Sequence, residues 1–135
     1  MSEGFLKSLE EEILTEKFTD ATLYLGLATS PINNSDTLED VAECTGDGYS
    51  RQAISFGNTE VDDGVVVVKN TEEIVFGPWE ELEPNQIMYA FVTDVESGTD
   101  GLLRVSLPIP DSFRMQPLSS ETVRFPTSNI KIGVQ

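Results

Sequence analysis

Three groups of side chains in this sequence have the types and spacing that chemistry would need. Glu80, Glu81 and Glu83 lie in the segment Gly77 to Pro84 beside Trp79, the only tryptophan. Two carboxylates held about 5 to 10 Å apart across a cleft hydrolyse glycosides, and an indole face could stack a sugar. A second group runs from Asp94 to Gly101, where acids and glycine share a loop as in calcium sites. The third is Asp36, Glu39, Asp40, Glu43 and Asp47, which could gather around a cation.

Each group has a simpler structural reading. The 94–101 loop lacks the EF-hand order: no acid stands at the position after Glu96 where one is required, and no glutamate closes the loop. Its composition suits a hairpin turn with solvated acids. Scattered acids in a chain this acidic need no cation to explain them. Trp79 is expected to seal one end of the core, with the glutamates decorating a turn between two prolines. A sugar-binding or calcium-dependent, lectin-like domain centred on Trp79 remains the weakest functional alternative.

The sequence has no histidine and one cysteine, Cys44. Ser-His-Asp and Cys-His nucleophiles are therefore excluded, as are multi-cysteine zinc sites and an internal disulfide. We expect no enzymatic activity, no cofactor, no metal and no catalytic residue. The formal charge of -16, from 24 acids against 8 bases, repels phosphate backbones and opposes nucleic-acid binding. It suits solubility, a basic partner surface, or crowded copies that must not adhere to one another. The longest apolar run, Val65 to Val68, is far too short for a bilayer. The N-terminus shows no basic start followed by an apolar stretch, so neither a leader peptide nor membrane contact is expected.

With chemistry so poorly represented, contact surfaces are the better candidates for function. Arg51, Arg104, Arg114 and Arg124 are surrounded by an excess of acid and should be paired. Pro110 to Leu118 is an apolar, proline-bounded segment that cannot be a central strand. From that segment Phe113, Arg114, Met115 and Leu118 are candidates for an association surface. From the N-terminal helix the candidates are Phe5, Leu9 and Ile13. Covering the protein's own core would explain both sets equally well.

The elements that position these residues follow from periodicity. With 135 residues the chain has room for one domain, 1–135. Residues 1–20 read as an N-terminal helix: Leu6, Leu9, Ile13 and Phe18, with Phe5 and Leu14, recur at steps of three and four. Ser2 would cap it, and Glu10, Glu11, Glu12, Glu16 and Lys17 would cover the outer side. From 22 to 135 the period is two. Strands are expected at 22–28, 49–56, 65–69, 73–76, 87–94, 102–107, 122–125 and 130–134. A long acidic loop at 29–48, with one helical turn inside, is the exception. Asp62, Asp63 and Gly64 should turn a hairpin from Glu60 and Val61 into Val65, and Glu96 to Gly101 should turn a second. Ile130, Ile132 and Val134 alternate with Asn129, Lys131 and Gly133, so the last strand should tie the final residues into the fold. The fold class expected is mainly β, an antiparallel sandwich of jelly-roll type with one N-terminal helix.

The segments Phe5 to Phe18, Thr22 to Pro31, and Gly48 to Phe56, in that order, resemble small virion structural proteins of tailed bacteriophages. Ile74 to Trp79, Ile87 to Leu107, and Glu121 to Pro126 with Ile130 to Val134 are similar to the later strands of that family. The likeness spans nearly the whole chain; the acidity and the turn at Gly57 to Asp63 depart from it. The resemblance implies a head decoration (cement) protein that stabilises the capsid through contacts across capsomers, with the major capsid protein as partner. It also implies a homo-oligomer, expected as a trimer. The alternative it implies is a tail-fibre or minor tail protein, whose partners are tail proteins or a host receptor. No catalytic residue belongs to the family pattern.

Overall fold

The structure is a computed structural model that describes residues 7–133. The fold is mainly β, with nine strands among the described residues, antiparallel sheets and one N-terminal helix. Helix α1 spans Lys7–Leu14 and continues as a π-helical turn over Thr15–Thr19. The strands are β1 Leu23–Ala28, β2 Gln52–Ile54, β3 Glu60–Asp62, β4 Val65–Lys69, β5 Ile74–Phe76, β6 Tyr89–Thr93, β7 Leu103–Pro108, β8 Val123–Phe125 and β9 Lys131–Gly133. Short 3-10 turns stand at Leu38–Asp40 and Asp111–Phe113. No helix among the described residues is long and apolar enough to cross a membrane. The expectations for Ser2, Phe5, Leu6 and Val134 lie outside the described residues.

The chain forms two compact units. One takes residues up to Thr22, Ile54–Ile74 and those from Phe125 on. In it α1 packs on β4, the centre of the sheet β3-β4-β9. The buried face of the helical segment is Glu10, Leu14 and Phe18, while Leu9 stays 39% exposed and Ile13 half-buried. Leu14 and Phe18 lie within as the stripe requires; Glu10, expected on the outer side, is buried with them, a correction, and Leu9 and Ile13 are not core residues. Steps of four overshoot a 3.6-residue turn, and a wider π turn takes up that drift. The amide of Asp20 donates to the Thr15 carbonyl at 2.9 Å to close it. Phe18 thereby meets Phe56 edge-to-face, centroids 5.6 Å apart.

The β3–β4 hairpin turns at Asp63 and Gly64, both at positive φ as a type I′ turn requires. Paired residues share a face, so Val66, Val68 and Ile132 lie on one side and are buried. The other side carries Glu60, Asp62, Lys69 and Lys131. Lys69 and Lys131 stand directly opposite one another, an arrangement that repels. The Asp62 carboxylate lies 3.5 Å from Lys69 Nζ and 3.2 Å from Lys131 Nζ and offsets it; Glu60 takes Lys69 at 2.9 Å. The Lys131 hydrogen bond and charge, reinforced by Lys69, hold the Asp62 carboxyl below its ordinary value. A depressed carboxyl stabilises the fold above its unfolded value, about 3.9, and that contribution fades as pH falls through the lower folded value. Asp62→Asn is therefore expected to lower Tm slightly at neutral pH and low salt. Thermal melts should show the gap closing below about pH 4 and in high salt.

Asn70 closes this unit. Its buried side chain donates from Nδ2 to the carbonyls of Glu72 (2.8 Å) and Pro126 (3.1 Å). Its Oδ1 accepts from the Ile130 amide at 2.8 Å, and its backbone bonds Ile130 and Ser128.

The second unit comprises Leu23–Ala53 and Val75–Arg124. Its main sheet has the order β2-β1-β6-β7, and β5 pairs with β8. Strands β1 and β6 are central and bury both faces, which their runs of apolar and small residues permit. Gly26 sits opposite Phe91, and a Cβ there would come within 2.3 Å of the phenyl ring. The missing side chain lets Phe91 lie across the strand, where Ala28, Ile32 and Leu38 complete a cluster. The acidic 29–48 segment is thus pinned by Ile32 and Leu38. The hairpin expected between the 87–94 and 102–107 strands is present as β6–β7, with Arg104 as the extra residue of a bulge.

Candidate association surface

Two acids of the long loop are used locally. Asp36 accepts from the Asn33 amide and Asp40 from the Thr37 amide, both at 2.8 Å, the latter capping the 3-10 turn. Asp94 accepts from the Leu102 amide at 2.9 Å and lies 3.8 Å from Arg104. Among the described residues no three acids or cysteines converge as a cation site.

Glu43 serves differently. It takes Arg51 in a bidentate pair, with Nε and Nη2 each at 2.9 Å, and accepts from the Tyr49 hydroxyl at 2.6 Å. Arg51 also reaches the carbonyls of Val95 (3.1 Å) and Gly98 (2.9 Å), and lies over the Phe91 ring at 5.5 Å. Tyr49 accepts from the Leu27 amide at 2.9 Å. One arginine therefore ties the acidic loop to the β6–β7 hairpin loop. Tyr49 and Arg51 were expected within a strand from Tyr49 to Phe56; the strand is confined to Gln52–Ile54, with Phe56 bridging Asn70, and the residues before it turn inward to this network. Burial, then the Glu43 charge, pushes the Tyr49 hydroxyl up, so it stays neutral.

Trp79 is 1% exposed and offers no face to a sugar. Its indole N–H donates to Glu83 at 3.1 Å, and the same carboxylate accepts from the amides of Gly46 (3.0 Å) and Thr45 (3.4 Å). Glu83 is itself 1% exposed, which corrects its expected place on an outward turn. Buried carboxylates persist only where donors surround them, and here three do. Cys44 lies against this carboxylate, and burial followed by the Glu83 charge pushes its thiol up. A protonated, enclosed thiol is a poor nucleophile. Cys44 should stay silent to a thiol-specific chromogenic reagent in buffer and react only as denaturant unfolds the chain.

The exposed apolar side chains form a different pattern. Phe113 is 74% exposed and Leu118 55%. Met115 is half-buried and its carbonyl accepts from the Ile87 amide at 2.8 Å. Arg114 is half-buried, held by Asp111 at 2.9 Å and by the Ile109 carbonyl at 3.0 Å. The structure therefore presents Phe113 and Leu118 to solvent, with Arg114 and Met115 as their anchors. Leu9 and Ile13 belong to the other unit, and Phe5 lies outside the described residues. Leu82, 50% exposed, was missed. The signal was available, since it is the one apolar residue among Glu80, Glu81 and Glu83.

The family described as Podophage GP4 fiber I protein gp80 matches residues 7–133. No curated protein and no solved structure matches the chain.

Proposed function

The chain belongs to the Podophage GP4 fiber I protein gp80 family, and from that membership we propose that it is a structural component of a podophage tail fibre. Membership over 7–133 carries the reading, and it makes the chain a virion component assembled in the host cell. Of the two placements implied by the sequence resemblance, the family description favours the fibre or minor tail protein over the capsid cement. The protein acts there by shape and contact, without catalysis, and its partners are tail proteins or a host-surface receptor. Exposed apolar side chains on a proline-braced segment suit that role, as does a surface charge that keeps copies apart until assembled. Immunogold electron microscopy of intact particles tests it. Label confined to the tail is expected; label spread over the head would restore the cement reading, and unlabelled particles would remove both.

A further inference from the structure

We infer that Leu82, Phe113 and Leu118 form a docking surface for a different virion protein whose apolar contact is ringed by lysine or arginine. The inference rests on the fibre reading and names the class of partner. Single exposed leucines need no explanation, but these residues lie on two segments that are bonded together. The Glu83 amide donates to the Pro117 carbonyl at 2.9 Å, so Leu82 and Leu118 flank one backbone bond. Gln116 Nε2 donates to the Glu83 carbonyl at 2.8 Å, and Ile87 joins Met115 farther along.

The segment is braced before any partner arrives. Phe113 ends the 3-10 turn that begins at Asp111, its amide bonded to the Pro110 carbonyl at 2.8 Å. Arg114 is fixed at both ends of its guanidinium. A preformed surface loses little conformational freedom on binding, which favours affinity. Charge identifies the occupant. Glu80, Glu81 and Glu121 are exposed beside Leu82 and Leu118 in the sequence. The one cation in either segment, Arg114, is already committed to Asp111. An acidic rim around an apolar centre complements a basic rim. It disfavours a second copy of a chain with net charge -16.

The test uses the full chain and three synthetic peptides of equal length: an amphipathic lysine/leucine peptide, its glutamate/leucine counterpart, and oligolysine. The lysine/leucine peptide should bind and shift amide NMR signals at residues 80–82 and 113–118. The triple variant Leu82→Ser, Phe113→Ser, Leu118→Ser should bind it about tenfold more weakly or worse. Its spectrum elsewhere should be unchanged because the three side chains are exposed. Phe113→Ser alone provides the same reading should the triple variant fold poorly. Equal binding of oligolysine, unchanged affinity of the variants, binding of the glutamate peptide, or no binding would each overturn the inference. Self-association of the wild type that the triple variant loses would also overturn it, assigning the surface to a second copy. None of these outcomes depends on where gold label falls on the particle, so the two readings fail separately.

Discussion

Glu43→Ala is expected to remove about 3 kcal/mol of folding stability, the lower end of the range for stripping one partner from a buried ion pair. The Arg51 side chain is 4% exposed, and without Glu43 it keeps only the Val95 and Gly98 carbonyls as acceptors. The Tyr49 hydroxyl loses its acceptor as well. Glu43 is itself 26% exposed, so water can reach the vacated site and moderate the loss. Against a typical total of about 5–15 kcal/mol, the variant should lose roughly a fifth to three fifths of its stability. Urea titration followed by the fluorescence of Trp79, the only tryptophan, measures it. Glu43→Gln should recover part of the loss by keeping one acceptor. Adding Arg51→Met to Glu43→Ala should cost less than the sum of the single changes, because no buried charge is then stranded. Simple additivity would mean that the two side chains do not act as a pair.

Asn70→Ala should be about as damaging, again roughly 3 kcal/mol, through three lost side-chain hydrogen bonds, one of which leaves the buried Ile130 amide without its Asn70 acceptor. Asn70→Asp is the more discriminating variant. Its shape is conserved and one oxygen can still accept from Ile130, but the second oxygen would face the Glu72 and Pro126 carbonyls. Protonation would restore one donor, so burial and that bond must raise the carboxyl's folded value above the unfolded one. The penalty is then present above the folded value and relieved as pH falls toward the unfolded value, about 4. Relative to wild type, Asn70→Asp should gain stability on acidification from neutral pH. A flat difference across that range, read from thermal melts, would place Asn70 outside the network assigned to it.

Much of the strand plan was legible because it depends on local pattern. The valine run of β4, the Asp63-Gly64 turn and the β6–β7 hairpin each carry their signal within ten residues or so. What sequence reasoning lost was set by distant partners. Glu10 reads as an outer-face residue until a π turn realigns the helix behind it. Glu43 and Glu83 look like two more acids among 24, yet each is enclosed by donors that the fold delivers. Tyr49 and Arg51 have strand-forming neighbours, and only the inward pull of Glu43 removes them from the ladder. For the association surface, Pro110 to Leu118 was recognisable from its prolines and apolar content. Leu82 was hidden by its acidic neighbours, and only the backbone bond beside it reveals its place next to Leu118.

The unit that begins with α1 also contains β9, and between them the chain leaves for the other unit and returns twice. Neither unit is a contiguous stretch of sequence. Genetic exchange through one crossover inside the coding region could not transfer either unit intact, so recombining phages would have to inherit this module whole. Limited proteolysis should reflect the same constraint, since a nick after Ala53 or Ile74 leaves segments of both units on each fragment and releases neither unit whole.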